Sequence, residues 1–108
     1  MARHFIREVF AEVDVLMMPT IPEAAPRLAD VTSAPIGAVI ARMAGFSRLT
    51  RPINGLGLPA LSVPCGLSPE GLPRGLQIVG RPFDEATVLR VGRAWEQLLG
   101  GFTRPPLP

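Results

Sequence analysis

Between residues 50 and 97, two short apolar segments flank a loop rich in glycine and proline, and a helical pattern follows them. The segments 60–64 and 76–79 have the length and composition of β-strands. In the loop between them, Pro69-Glu70-Gly71 is a turn signal, because proline presets φ and glycine accepts positive φ. Asp84 precedes an amphipathic segment that predicts a helix with an aspartate N-cap, ending near Leu99. This order predicts two neighbouring strands in a long hairpin, followed by one packed helix.

The first half of the chain predicts two further helices and one strand. Residues 2–13 form an amphipathic helix with the apolar face Phe5, Ile6, Val9, Phe10 and Val13. The unbroken apolar run 15–18 predicts a strand buried on both faces. The prolines of residues 19–35 predict an extended loop ordered by packing, and a flexible linker between two domains is the alternative. Ser33 is the predicted N-cap of a helix over 34–44 with the core face Ile36, Val39, Ile40 and Met43.

The order helix, strand, helix, strand, strand, helix predicts an α/β layered architecture of about three strands and three helices. In the last helix, the predicted buried stripe is Val88, Val91, Trp95 and Leu98. Residues 102–108 are predicted to be a proline-rich tail. Three strands leave at least one sheet edge without a partner, and an unpaired edge is an association site. We therefore expect residues 1–108 to be part of a larger sheet.

Composition excludes several classes of protein. A hydrophobic content of 47% with 19% charged residues indicates a globular chain. The net charge is only +2 and the eleven basic residues are all arginine, scattered without interleaved aromatic residues, so nucleic-acid binding is not predicted. No apolar run is long enough to span a bilayer, and the N-terminal sequence has no signal-peptide pattern. The chain is therefore predicted to be cytoplasmic, with no membrane partner.

No catalytic constellation is evident in the sequence. The serines at 33, 47, 62 and 68 and the single Cys65 could act as nucleophiles only with a base in reach, and His4 is the only histidine. Each has a simpler structural role, and Cys65 is interpreted as a small buried side chain. Asp84 and Glu85 fit a helix N-terminus, where negative charge is favoured. No metal-binding or phosphate-binding motif occurs.

Several ordered motifs nevertheless resemble one enzyme family, the amidase signature hydrolases. The segment 14–22 (DVLMMPTIP) is similar to the family's strand and Thr-Pro-Thr-like element, and residues 50–54 (TRPIN) to its Thr-x-Pro-x-Asn element. The matches continue through Gly57-Leu58-Pro59-Ala60 and the residues 62–64 (SVP), 71–77 (GLPRGLQ) and 80–87 (GRPFDEAT). The resemblance covers most of the chain and is strongest over residues 50–97. It identifies the chain as the C-terminal portion of an amidase domain.

The resemblance implies an α/β/α sandwich with a mixed sheet and an enzyme that cleaves C–N amide bonds. The family uses a serine nucleophile, a second serine with a cis peptide bond and a lysine base, and needs no cofactor or metal. This chain contains no lysine and no Gly/Ser-rich signature segment. The resemblance therefore implies that no catalytic residue lies here and that the chain is inactive alone, with the rest of the amidase domain as its partner. A truncated or split, non-catalytic scaffold subunit is the alternative.

The same resemblance points to Thr50, Arg51 and Asn54 as the residues nearest the amide substrate. Capping and loop hydrogen bonds are the alternative roles for Thr50 and Asn54, and simple exposure for Arg51. The branch of the family that transamidates mischarged tRNA typically has an acidic residue three positions before this threonine. Ser47 stands there, which favours a stand-alone amidase.

Overall fold

The computed structural model describes residues 2–101, and the predicted tail, residues 102–108, lies outside them. In chain order the described part contains helix α1 (Ala2–Val9), strand β1 (Val15–Pro19), helices α2 (Leu28–Thr32), α3 (Ile36–Phe46) and α4 (Arg51–Leu56), strands β2 (Ala60–Leu67) and β3 (Pro73–Gly80), and helix α5 (Glu85–Leu99). The α/β class and the three predicted strands are confirmed. The short helices α2 and α4 are additional to the predicted elements.

The three strands form one antiparallel sheet in the order β1-β3-β2. The predicted hairpin joins β2 to β3, and the Gly71 N–H donates to the Ser68 carbonyl (2.9 Å) across its turn. Gly71 has a φ of 81°, the conformation for which glycine is suited. β2 runs past the predicted end at Pro64 and carries a bulge between Pro64 and Leu67, where Gly66 also has positive φ.

Helices cover both faces of this sheet. Successive residues of the central strand β3 point to opposite faces, so its side chains contribute to two separate clusters. On one side, a buried cluster joins β3 to α4 and to the end of α1; its members are Phe10, Ile53, Leu58 and Val79. On the other side, a second cluster joins the sheet to α5; its members are Val63, Ile78 and Val88. The described residues therefore form the three layers of an α/β/α arrangement.

Helix α5 begins as predicted and packs one face against the sheet. The Asp84 carboxylate accepts a hydrogen bond from the Thr87 N–H (3.3 Å), which confirms the aspartate N-cap. Val88 is buried, and Val91 and Trp95 pack against the sheet. Leu98 lies one turn beyond Trp95, outside both clusters, and is 82% exposed, so its place in the predicted stripe is wrong.

The helix predicted over 34–44 occurs as α3, but its cap and its core face are predicted wrongly. Pro35 is the N-cap residue, whereas Ser33 ends α2, where its hydroxyl donates to the Ala29 carbonyl (2.6 Å). Of the predicted core face, only Val39 is half-buried, and the exposed members are Ile36, Ile40 and Met43. The apolar periodicity of α3 is real, but no other described element covers that face.

The elements at the start of the chain are covered on one side only. α1 ends at Val9, before the predicted end at residue 13, and Phe5 and Val13 are exposed at the margins of its apolar face. β1 is an edge strand paired with β3 alone. Met17 of β1 is 47% exposed, so the prediction of a strand buried on both faces is wrong at this residue.

No helix within residues 2–101 is both long and apolar enough to cross a membrane.

Candidate functional site

The three residues predicted to contact substrate lie together where α3 leads into α4. Thr50 is the half-buried N-cap residue of α4, whereas Arg51 and Asn54 are exposed. The Asn54 N–H donates to the Thr50 carbonyl (3.1 Å), so these two residues are one helical turn apart on the same side. The helix is short because Gly57, with a φ of 66°, ends it in a left-handed conformation.

Ser47 is the residue that holds this junction together. Its carbonyl accepts the Arg51 N–H (2.8 Å) and the Thr50 hydroxyl (3.4 Å). Its own hydroxyl accepts a hydrogen bond from the Arg51 guanidinium (Nη2, 2.7 Å). Thr50 makes no side-chain cap bond, so of its alternative structural roles the loop hydrogen bond is present and the cap is not.

The Arg51 guanidinium is therefore positioned by a neutral group. Within residues 2–101 no carboxylate forms an ion pair with it. Its exposed N–H groups can donate charge-assisted hydrogen bonds to a carboxylate or a polarised carbonyl. An acidic side chain at position 47 would instead pair with Arg51 at i,i+4 spacing and neutralise it. The serine at this position leaves the positive charge of Arg51 available for a ligand.

Gln77 ties the junction to the sheet. This side chain lies in the middle of β3, is only 4% exposed, and donates from Nε2 to the Leu49 carbonyl (3.3 Å). One helical turn past Thr50, Ile53 packs in the first buried cluster, next to Val79 of β3. The junction is thus fixed at Leu49 by a hydrogen bond and at Ile53 by apolar packing.

Two hydroxyl groups lie on the same face of the sheet as Gln77. Ser62 is the direct cross-strand neighbour of Gln77, and its Oγ is 2.7 Å from the Oγ1 of Thr20, which follows β1. The pair spans the central strand at Gly75, where a Cβ atom would come within 2.8 Å of the Thr20 Oγ1. Glycine is needed there because the two hydroxyls approach the backbone so closely.

The groups at this junction are suited to hydrogen bonding. The junction offers hydroxyl and carboxamide groups, which donate and accept hydrogen bonds, and a guanidinium, which only donates. The imidazole of His4 is exposed on α1, where its nearest ionic partner is Glu8 at 3.9 Å. Cys65 is half-buried and has no hydrogen-bonded base in the described part of the chain. No cluster of three or more His, Cys, Asp or Glu side chains suited to a metal ion occurs between residues 2 and 101.

A separate cleft of about 600 Å³ lies between the loop that follows β1 and the β2–β3 hairpin. Met17, Ile21 and Leu76 give it an apolar wall, and Cys65 faces it. None of Thr50, Arg51 and Asn54 lines it, so the cleft and the α3–α4 junction are two different surfaces.

Sequence reasoning missed Ser47, Gln77 and Thr20 as parts of this site. A glutamine inside the otherwise apolar run Leu76–Val79 was the available signal, since a buried polar side chain needs a hydrogen-bond partner. Ser47 precedes Arg51 by one helical turn, but its role depends on the unpredicted helix α4. Thr20 and Ser62 are far apart in sequence, and only the strand order brings them together.

Comparisons with known proteins place this chain in a family. Residues 1–89 match the family model described as Amidase. The chain is 48% identical over 98 residues to a glutamyl-tRNA(Gln) amidotransferase subunit of Brevibacillus brevis, covering 91% of this chain and 19% of that protein. It is 45% identical over 105 residues to a fatty acid amide hydrolase of Medicago truncatula, covering 96% of this chain and 17% of that one.

Solved structures show the same arrangement of elements. The structure of a 6-aminohexanoate cyclic dimer hydrolase complexed with substrate superposes with a TM-score of 0.83 at 30% identity, covering 97% of this chain and 23% of the hydrolase. The corresponding glutamyl-tRNA(Gln) amidotransferase subunit of Thermotoga maritima gives a TM-score of 0.65 at 34% identity, covering 85% and 19%. The chain spans about a fifth of the length of the curated relatives it matches. Relatives of both branches match at similar identity, so the stand-alone amidase branch stays a prediction.

Proposed function

The chain belongs to the amidase family, and from this membership we propose that it is the C-terminal portion of a hydrolase that cleaves C–N amide bonds. In this proposal the serine nucleophile, the cis-serine and the lysine base lie in the rest of the amidase domain. The absence of lysine from the chain supports that division. The chain then completes the sheet and one side of the substrate cleft, and it is inactive alone.

The proposed role of the α3–α4 junction is to hold a small-molecule amide substrate. The observation that carries this assignment is the exposed Arg51 guanidinium, which Ser47 orients without neutralising it. Arg51 would bind a carbonyl or carboxylate oxygen of the substrate, and Thr50 and Asn54 would add hydrogen bonds from the same side of α4. Such bonds fix a substrate against a nucleophile supplied by other elements.

The remaining parts of the proposal follow the sequence predictions. The enzyme acts without a cofactor or metal, in the cytoplasm, and without nucleic-acid or membrane partners. The second candidate, a non-catalytic scaffold subunit, is favoured by the same lack of lysine. The DNA upstream of Met1 separates the two, since a continuous frame encoding a Gly/Ser-rich signature and a lysine supports the enzyme. A stop codon followed by a ribosome-binding site before Met1 supports the scaffold.

The substrate role is tested in a chimera in which this chain replaces the aligned segment of the Brevibacillus brevis protein. Arg51→Ala is expected to raise KM for an amide substrate about 10–100-fold, because a hydrogen bond to a charged group contributes about 1.5–3 kcal/mol. The matched control is Arg48→Ala, since Arg48 is another exposed arginine of the same junction, between Ser47 and Leu49. Equal effects of the two substitutions on KM would contradict the assignment of Arg51.

A further inference from the structure

The turn that leads from β3 into α5 holds a bulky side chain in a left-handed backbone conformation. The Asp84 N–H donates to the Arg81 carbonyl (3.1 Å) across this turn. Pro82 occupies its second position and Phe83 its third, with a φ of 62°. Because proline cannot adopt positive φ, this is a type II turn, whose third position favours glycine.

Both ends of the turn are held by other elements. The Arg81 guanidinium donates to the carbonyls of Phe10 (3.0 Å) and Val13 (3.2 Å) after α1, and lies 3.3 Å from the Asp14 carboxylate. At the other end, the Asp84 side chain caps α5. The contacts of Arg81 with the segment after α1 and the Asp84 cap of α5 therefore restrain the backbone on both sides of Phe83.

Nothing within the described chain compensates for this strain. Phe83 is 95% exposed, so its ring has almost no packing partner among residues 2–101. A left-handed conformation is costly for a residue with a Cβ atom, and a glycine would avoid that cost. An exposed aromatic side chain on a restrained backbone has the properties of an interface anchor, which fills a pocket of a partner.

We propose that Phe83 is an anchor that inserts into an apolar pocket of the remaining part of the amidase domain. This rests on the proposed function, in which the chain is one portion of a larger enzyme. The family match includes this turn, and the superposed hydrolase covers 97% of this chain with only 23% of its own length. The equivalent segment in that enzyme therefore belongs to a much longer polypeptide, and the proposal takes the pocket from that longer part.

The first test uses the chain itself. Phe83→Ala keeps the left-handed Cβ and removes the ring, so the melting temperature of residues 1–108 should stay within about 1 °C. Phe83→Gly also removes the strain, and its melting temperature should equal or exceed that of Phe83→Ala by a few degrees. A clear loss of stability in Phe83→Ala would overturn the proposal, because it would show that the ring packs within the chain. A dimer of the isolated chain that Phe83→Ala dissociates would overturn it too, by assigning the ring to a second copy.

The second test uses the Brevibacillus brevis chimera described above. There Phe83→Ala should lower the melting temperature by about 3–8 °C, as expected for loss of an interface anchor, and Phe83→Leu should retain most of the stability. A chimera whose melting temperature is unchanged by Phe83→Ala contradicts the proposal. A chimera that carries Phe83 and does not fold contradicts it as well. Sensitivity to Phe83→Ala without amide turnover would leave the anchor in place and refute the proposed function alone. Amide turnover by a chimera whose melting temperature does not respond to Phe83→Ala would refute the anchor and leave the proposed function in place.

Discussion

Gln77 is the residue whose replacement best tests how the candidate site is held on the sheet. It is buried on β3, and its Nε2 donates to the Leu49 carbonyl at 3.3 Å. Gln77→Leu keeps most of the side-chain volume but removes this donor and leaves the carbonyl without it. Losing one hydrogen bond and leaving a partly buried acceptor unpaired costs about 1–2 kcal/mol. In a domain of this size that lowers the melting temperature by about 4–8 °C per kcal/mol.

The loss of local stability caused by Gln77→Leu should be greatest at α4. Hydrogen exchange follows the Arg51 and Asn54 amides, which donate to the carbonyls of Ser47 (2.8 Å) and Thr50 (3.1 Å). Their protection is expected to fall by about 5–30-fold, the factor that corresponds to 1–2 kcal/mol. Amides of α5 should change less, since Gln77 makes no hydrogen bond to that helix.

A second substitution separates the hydrogen bond from side-chain packing. In Gln77→Glu, burial raises the pKa of the new carboxyl, and only its protonated form can donate to the Leu49 carbonyl. A raised folded-state pKa means that the stability present at acid pH is lost as pH rises from the unfolded value, about 4.3, through the folded value. Denaturant titrations at several pH values measure this loss relative to the parent chain.

The control is Gln97→Leu, the same substitution at an exposed position on α5. It should leave both the melting temperature and the protection of α4 unchanged. A Gln77→Leu variant as stable as the parent, with unchanged exchange at Arg51 and Asn54, would refute the claim that β3 positions the junction.

Three further predictions concern the sheet and its hairpin. Gly75→Ala should lower the free energy of unfolding by about 1–3 kcal/mol, because its Cβ would come within 2.8 Å of a hydroxyl oxygen. Denaturant titration measures this change, and an unchanged free energy of unfolding would show that the hydroxyls move aside. The hydrogen bond from the Ser68 hydroxyl holds the pKa of Glu70 below its ordinary value, so Ser68→Ala should raise that pKa in an NMR titration. An unchanged pKa would assign the shift to another group. Trp95→Phe removes the donor to the Pro64 carbonyl (2.9 Å) and should cost about 1 kcal/mol, and an unchanged melting temperature would contradict this.

Local signals were sufficient to predict much of the fold. The Asp84 cap, the turn at Pro69-Glu70-Gly71 and the two neighbouring strands each depend on residues close in sequence, and all three are confirmed. Helix α4 could also have been predicted, because Pro52 lies in its first turn and Gly57 ends it. Helix α2 has only five residues, too few to show a helical period.

Burial was predicted less well than element type. The periodicity of α3 correctly gives an apolar face, but periodicity cannot tell whether the chain itself contains the element that covers it. Ile36 and Met43 are exposed for this reason, and so is Met17 on the edge strand. In the site, the resemblance proposed Thr50, Arg51 and Asn54, but the contacts of Ser47 and Gln77 depend on packing between distant segments.

The central claim is that this chain carries part of the substrate cleft of an amidase and none of its catalytic residues. Turnover of a simple aryl amide, measured with purified residues 1–108 and with the Brevibacillus brevis chimera at equal concentration, tests it most directly. Residues 1–108 are expected to show no turnover, and the chimera is expected to show measurable turnover. Turnover by residues 1–108 that is abolished by a substitution within those residues would contradict the account.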